Sequence, residues 1–355
     1  MMNFILRYRS WLLDWSYSCR RLSLPDQRRH SAFLNLTALG LFLTAGLGTS
    51  LLASAQNFPS KPLRYIIPST PGGGQDLVGR ALAPRLSELL GQPVIVDNRP
   101  GGSTIIGADQ AAHAPADGHT LFMGSNTTLS MNPNLHAKLP YDPIKDFAPI
   151  SRIVILANML AVHPSMPVRS VRDLAAFASA HPNQLNYSSS GTGTPAHLAG
   201  VMFNETARVS MTHVPYKGSS PALTAVVSGE TQLVFCTLTS GLQLIRGHRL
   251  RAIAVTSAQR AISLPDLPTI AESGYPGYEV ITWYAAMVPA GTPPAIIKRL
   301  HSEFLHILHS EEFKHWLISQ GGQSAPSSPE ELTAQIKKEL LVYALIIKKS
   351  GMKAD

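Results

Sequence analysis

The residues best suited to chemistry lie in two glycine- and hydroxyl-rich turns, Thr70-Pro71-Gly72-Gly73-Gly74-Gln75-Asp76 and Ser188-Ser189-Ser190-Gly191-Thr192-Gly193-Thr194-Pro195. Each follows a short apolar run and leads into a segment with helical spacing. A strand-to-helix turn of this composition leaves backbone N–H groups free at a helix start, which suits a carboxylate or phosphate. The helix dipole adds about 0.3–1 kcal/mol to such binding when the anion is exposed and up to about 2 kcal/mol when it is partly buried. Hydrogen bonds to a charged acceptor add roughly 1.5–3 kcal/mol each. One glycine-rich turn can be no more than a tight connection; two in one chain suggest a single ligand gripped from two sides.

Neither turn is a nucleotide motif. The first lacks the Gly-Lys-Ser/Thr of a P-loop, and Gly191-Thr192-Gly193 lacks the third glycine of a dinucleotide fingerprint. Thr194-Pro195 reads as an N-cap followed by proline at the first helical position, with His197 in the first turn. Asp76 stands where it either caps free N–H groups or meets an ammonium or hydroxyl of the ligand, and capping is the simpler role.

Catalytic constellations are weak. There is no Gly-x-Ser-x-Gly elbow and no His-Glu-x-x-His. Cys236 is embedded in an apolar run, where a thiol is inert. Ser190 and His197 form the one nucleophile–base pair close in sequence, but no orienting acid accompanies them, so a hydrolase is the weaker reading and no enzyme is expected. His306 and His309 could share a helix face, yet no third ligand lies nearby, so neither a metal nor a cofactor is expected.

A chain of 355 residues accommodates two lobes. Six arginines before residue 30, set against Asp14 and Asp26, supply +4 of the net +8. The remaining excess is spread without a basic block, so nucleic acid is not an expected partner. The apolar stretch from Ala32 to Leu52 follows Gln27-Arg28-Arg29-His30 and ends in Ala53-Ser54-Ala55. It reads as an export signal, residues 1–55, cleaved after Ala55, and its glycines make it a poor membrane anchor. Cys19 falls in that leader, so Cys236 is alone in the mature chain and no internal disulfide can form.

Short apolar runs alternate with helical patterns. Strands are expected over 63–68, 94–97, 120–124, 185–188, 233–236, 250–256 and 281–288. Helices are expected over 76–90, 105–113, 171–180, 195–206, 221–228, 294–308 and 330–348. Pro84 predicts a kink or break in the first helix. This rhythm is that of an α/β protein with mainly parallel sheets flanked by helices. The expected division places 57–159 and 281–355 in one lobe and 160–280 in the other, with a hinge between them.

Several runs closely resemble the Bug-type solute-binding proteins of tripartite tricarboxylate transporters. They include Pro71-Gly72-Gly73-Gly74-Gln75-Asp76, Val94-Ile95-Val96-Asp97-Asn98-Arg99-Pro100-Gly101-Gly102, Leu139-Pro140-Tyr141-Asp142-Pro143, Leu185-Asn186-Tyr187-Ser188-Ser189-Ser190-Gly191 and Val214-Pro215-Tyr216-Lys217-Gly218. The match runs in order from about Phe58 to Asp355. The resemblance implies a two-lobed periplasmic binding protein of type II-like architecture, a small carboxylate held in the cleft, and delivery to a two-component membrane permease. It places the first-lobe contacts at Ser69, Thr70, Gly72, Gly73, Gly74 and Asp76, and the second-lobe contacts at Ser190, Gly191, Thr192, Gly193, Thr194 and His197. Asn126 and Thr127 are expected to line the far pocket. A monomer is expected, and a periplasmic sensor subunit for a signalling receptor is the alternative to transport.

The chain departs from the family's pattern at Ser69, usually aromatic, at Pro71, often alanine, and at Cys236-Thr237, where many relatives show Asp-Asn. These departures bear on the ligand's distal group, and the missing acid argues against an ammonium partner there.

Overall fold

Adjacent apolar side chains along each buried strand feed opposite faces of a sheet, and helices cover both faces. The computed structural model describes residues 58–350 and Met352; the expected export signal lies outside the described residues. The first part of the chain forms β1 (Leu63–Ile67), α1 (Gly74–Leu90), β2 (Val94–Asn98), α2 (Ile105–Ala112), β3 (Thr120–Ser125) and a short α3 (Asn132–Leu135). A long strand, β4 (Phe147–Val162), follows. The middle comprises α4 (Val171–Ala180), β5 (Asn186–Ser189), α5 (Pro195–Ala207), β6 (Thr212–Pro215), α6 (Ser219–Val227), β7 (Leu233–Thr237), α7 (Leu238–Arg246) and β8 (Arg251–Val255). The chain ends with β9 (Ile281–Pro289), α8 (Pro294–His309), α9 (Glu311–Ser319), β10 (Gly322–Ser324) and α10 (Pro329–Ser350).

The strands join in the order β2-β1-β3-β9-β4-β7-β5-β6, with β8 and β10 also on β4. Pairing is parallel at both ends, where β1 lies between β2 and β3 and β5 lies between β6 and β7. It is antiparallel in the centre, where β9 pairs with β3 and β4, and β4 pairs with β7, β8 and β10. The sheet is therefore mixed. Strands β4 and β9 enter it without a β-α-β crossover onto their neighbours, which is the connection that parallel pairing needs.

Strand β4 is shared between the two ends. Its residues Phe147 to Ala157 pair with β9, and Asn158 to Val162 pair with β7. Around the first end, Tyr65 and Ile67 pack with Leu82 and Phe304 on one face, while Ile66 and Phe122 pack with Trp283 on the other. Around the second end, Leu233 and Phe235 pack with Tyr187 and Phe203, while Val234 and Cys236 pack with Met159 and Leu238. Helix α10 contributes Leu332 and Ile336 to the cluster around Trp283 and Ile347 to the cluster around Phe203.

Helix α1 runs unbroken through Pro84, contrary to the expected kink or break. Pro84 is exposed, so water can satisfy the carbonyl that loses its helical N–H partner. Strand β4, helices α7 and α9, and the short strands β6 and β10 were not anticipated from the sequence.

Candidate functional site

Five helix starts converge on one cavity of about 70 Å³. Gly74 and Gln75 open α1, Thr104 precedes α2, and Thr194, Pro195 and Ala196 open α5. Gly218 and Ser219 open α6, and Thr237 precedes α7. Each helix start contributes partial positive charge, and the first N–H groups of a helix have no partner within it. Among the residues lining the cavity, Lys217 is the only charged one and none is acidic. The remaining wall is hydroxyl- and amide-rich, with Ser69, Thr127, Asn158, Ser190, Thr282 and Tyr284 among its members.

The first turn is drawn tight by its own backbone. Gly73 N–H donates to the Thr70 carbonyl (3.0 Å), and Gly72 N–H donates to Asp76 Oδ2 (2.8 Å). Asp76 is buried and also accepts from Asn98 Nδ2 (2.9 Å) and pairs with Arg80 (2.9 Å). Its carboxylate is thereby committed to holding the turn. Gly74 has to be glycine, because a Cβ there would sit 2.7 Å from Thr237 Oγ1 and 2.8 Å from Tyr284 Oη. Burial pushes the Tyr284 phenol above its ordinary range, so the group stays protonated and remains a donor. The Ser69 hydroxyl is buried without a hydrogen-bond partner.

The second turn satisfies itself more fully. Thr194 Oγ1 accepts from His197 N–H (3.3 Å) and donates to the Gly191 carbonyl (2.8 Å). Ser189 Oγ meets His213 Nε2 at 2.7 Å, and the His213 ring stacks on His197 with centroids 3.8 Å apart. Burial, with His197 alongside, pushes the His213 pKa down to about 3, so the ring is neutral near pH 7. His197 Nδ1 accepts the Gly193 N–H (3.2 Å).

The turns are also in contact with the loops opposite them. Ser220 Oγ donates to the Pro71 carbonyl (2.9 Å), and a Cβ on Gly218 would meet Thr70 Oγ1 at 2.6 Å. Gly191 faces Ser103 Oγ, and the Ser103 carbonyl accepts from Asn132 Nδ2 (2.9 Å). Ser103 and Thr104 both have positive φ, 47° and 82°, a conformation that costs non-glycine residues energy. It turns the Thr104 hydroxyl onto Thr128 (2.8 Å), at the π-helical turn Thr127–Met131 beside the cavity.

Of the fourteen site residues expected from the sequence, Ser69, Gly74, Thr127, Ser190 and Thr194 line this cavity. Thr70, Gly72, Gly73, Asp76, Gly191, Thr192, Gly193 and His197 lie in the turns behind that lining. Asn126 turns its amide to the Ile281 carbonyl (3.0 Å) and the Tyr343 hydroxyl (3.3 Å), so it fastens the wall to α10. Cys236 faces the core, where burial pushes its thiol up to about 12, and its neighbour Thr237 faces the cavity. Of this pair, Thr237 alone lines the cavity. Lys217, Asn158, Tyr284 and the Ser103-Thr104 pair were not singled out from the sequence. The runs Pro100-Gly101-Gly102-Ser103-Thr104 and Lys217-Gly218-Ser219-Ser220 share the composition of the two turns first identified, and that was the available signal.

Comparison with known proteins agrees with this architecture. The family profile TctC, tripartite tricarboxylate transporter family receptor, matches residues 78–352. The protein BugT of Bordetella pertussis is 32% identical over 320 residues, covering 90% of this chain and 98% of BugT. The solved structure of Rpa4515 from R. palustris with adipate superposes with a TM-score of 0.82 at 35% identity, covering 83% of this chain and 99% of that one. MatC from Rhodopseudomonas palustris with bound malate gives a TM-score of 0.77 at 27% identity, covering 82% and 100%. This chain belongs to the tripartite tricarboxylate transporter family receptors.

Proposed function

We propose that this protein is an exported, non-enzymatic solute-binding protein that captures a small carboxylate and delivers it to a tripartite tricarboxylate-type permease in the membrane. The observation that carries the reading is the convergence of five helix starts on a cavity whose lining has one lysine and no acid. That arrangement stabilises an anion and offers no charged partner to an ammonium group. The adipate and malate held by two similar proteins support a carboxylate as that anion.

In this reading, residues 57–159 with 281–355 and residues 160–280 act as two lobes. The hinge lies where the chain passes from one end of the sheet to the other, within β4 and between β8 and β9. Closure brings the turn at 69–76 against the loop at 217–220, excludes water and strengthens the hydrogen bonds to the anion. The ligand bridges both sides only in the closed state and so favours that state by its differential contacts. The described helices include none long and apolar enough to cross a membrane.

A thermal-shift screen of the purified protein against di- and tricarboxylates, aromatic acids, amino acids and uncharged analogues tests this reading. A ligand at about a hundred times its Kd stabilises the fold by roughly 2.7 kcal/mol. A shift confined to carboxylates is expected. No shift with any acid, together with no small acid released on denaturation as read by mass spectrometry, sinks the proposal.

A further inference from the structure

Lys217 is held in place on both sides of its own backbone while its ammonium is left uncommitted. On one side Tyr216 N–H donates to the Ser189 carbonyl (3.1 Å), which ties the loop to the second turn, and Tyr216 Oη donates to Glu230 (2.7 Å). On the other side Gly218, at φ 124°, presses its bare Cα against Thr70, and Ser220 Oγ reaches the Pro71 carbonyl. The lysine side chain is exposed, lines the cavity, and forms no ion pair with any described residue. The other polar groups on the wall are neutral hydroxyls and amides.

We infer that Lys217 is a specificity-determining residue that reads a second negative charge on the ligand, so that the site prefers dianions to monoanions of the same shape. The inference rests on the carboxylate reading above. Uncapped helix starts satisfy one carboxylate through neutral N–H and hydroxyl donors, and that grip is the same for a monoacid and a diacid. A formal positive charge favours a second carboxylate over its isosteric amide more strongly than neutral donors do, and Lys217 is the only such charge on the lining. Because the lysine loop also touches the first turn, its ammonium reaches the ligand only when both sides of the site are assembled.

The test compares malate and adipate, each against its monoamide, by calorimetric titration of the wild type, Lys217→Gln and Lys217→Arg, with circular dichroism to confirm folding. Loss of one charge-assisted hydrogen bond lowers affinity about ten- to a hundred-fold. For Lys217→Gln the expected result is a loss of that size for the diacid and less than about a three-fold change for its monoamide, with preference restored in Lys217→Arg. Equal losses for diacid and monoamide, an unchanged diacid preference in Lys217→Gln, or a wild type with no diacid preference overturns the inference while leaving the carboxylate reading intact. A wild type that binds none of these acids, nor any acid of the wider screen, overturns the carboxylate reading itself.

Discussion

At the start of α1 the N-cap is Gly73 and no side chain closes the helix end, whereas at the start of α5 Thr194 accepts the His197 N–H and Pro195 brings no N–H at all. The two turns have similar compositions, yet over the first three helical positions the first leaves the Gly74, Gln75 and Asp76 N–H groups without a helical or capping partner and the second leaves only that of Ala196. Their anchoring differs as well. The first is fastened by a charged group, Asp76, with Arg80 and Asn98 around it. The second is fastened by two stacked imidazoles and a serine. A glycine-and-hydroxyl turn thus keeps its donors open where the helix end is uncapped and spends part of them on itself where it caps itself.

This contrast can be broken most severely at Gly74. Gly74→Val places carbon atoms where Thr237 and Tyr284 now approach, and overpacking of about 1–3 kcal/mol at the donor-rich turn should lower carboxylate affinity roughly a hundred-fold. Titration of the folded variant reads this directly, and an affinity within about three-fold of wild type would deny the first turn its role as the cradle.

Asp76→Ala should act on stability: it leaves the Gly72 N–H without its acceptor and removes the carboxylate that Asn98 and the half-exposed Arg80 share, at a cost of about 1–3 kcal/mol in denaturant unfolding. A smaller loss than that of Thr194→Ala would mean that the charged anchor is not the stronger one. Thr194→Ala removes the α5 cap, with an expected cost of about 1 kcal/mol and a change in affinity below about ten-fold. If its main effect falls on affinity instead, the second turn is a cradle after all.

The remaining prediction concerns acid. The folded His213 pKa of about 3 lies below the unfolded value of about 6.5. As pH falls through 6.5 the unfolded chain takes up a proton that the folded ring refuses. The stability associated with the neutral ring is therefore complete above about pH 6.5 and is lost as pH falls toward 3. His213→Gln should flatten the decline in Tm between pH 6.5 and 4. Parallel curves for variant and wild type would show that His213 does not titrate in this way.

Much of the architecture was legible because its signals are local. The strand–turn–helix at 63–90 and that at 185–207 show in apolar spacing, and Thr194-Pro195 announces its helix through capping chemistry alone. Strand β4 was not legible: Ile153 to Val162 is almost uninterruptedly apolar because the strand is covered on both faces, so no alternation marks it, and Pro149 at a bulge further disguises it. Lys217 carries no local signal of its own, since one exposed lysine has no period. Its place at the cavity depends on β6 pairing with β5, a contact between segments that no local pattern encodes. Cys236 and Thr237 differ in their fate by a single step of the strand's alternation, which sends one to the core and the other to the cavity.

The antiparallel centre of the sheet also sets the order in which the molecule can be completed. Strand β3 takes β9 as its inner neighbour, Phe122 opposite Met287, and β4 takes the same strand along its first eleven residues. A chain made from its N-terminus therefore has β1, β2, β3 and β4 in hand well before the strand that joins β3 to β4 exists. Non-local pairing of this kind slows folding. The late arrival of β9 means that β3 and β4 are joined in the sheet only once the chain has been made as far as Pro289.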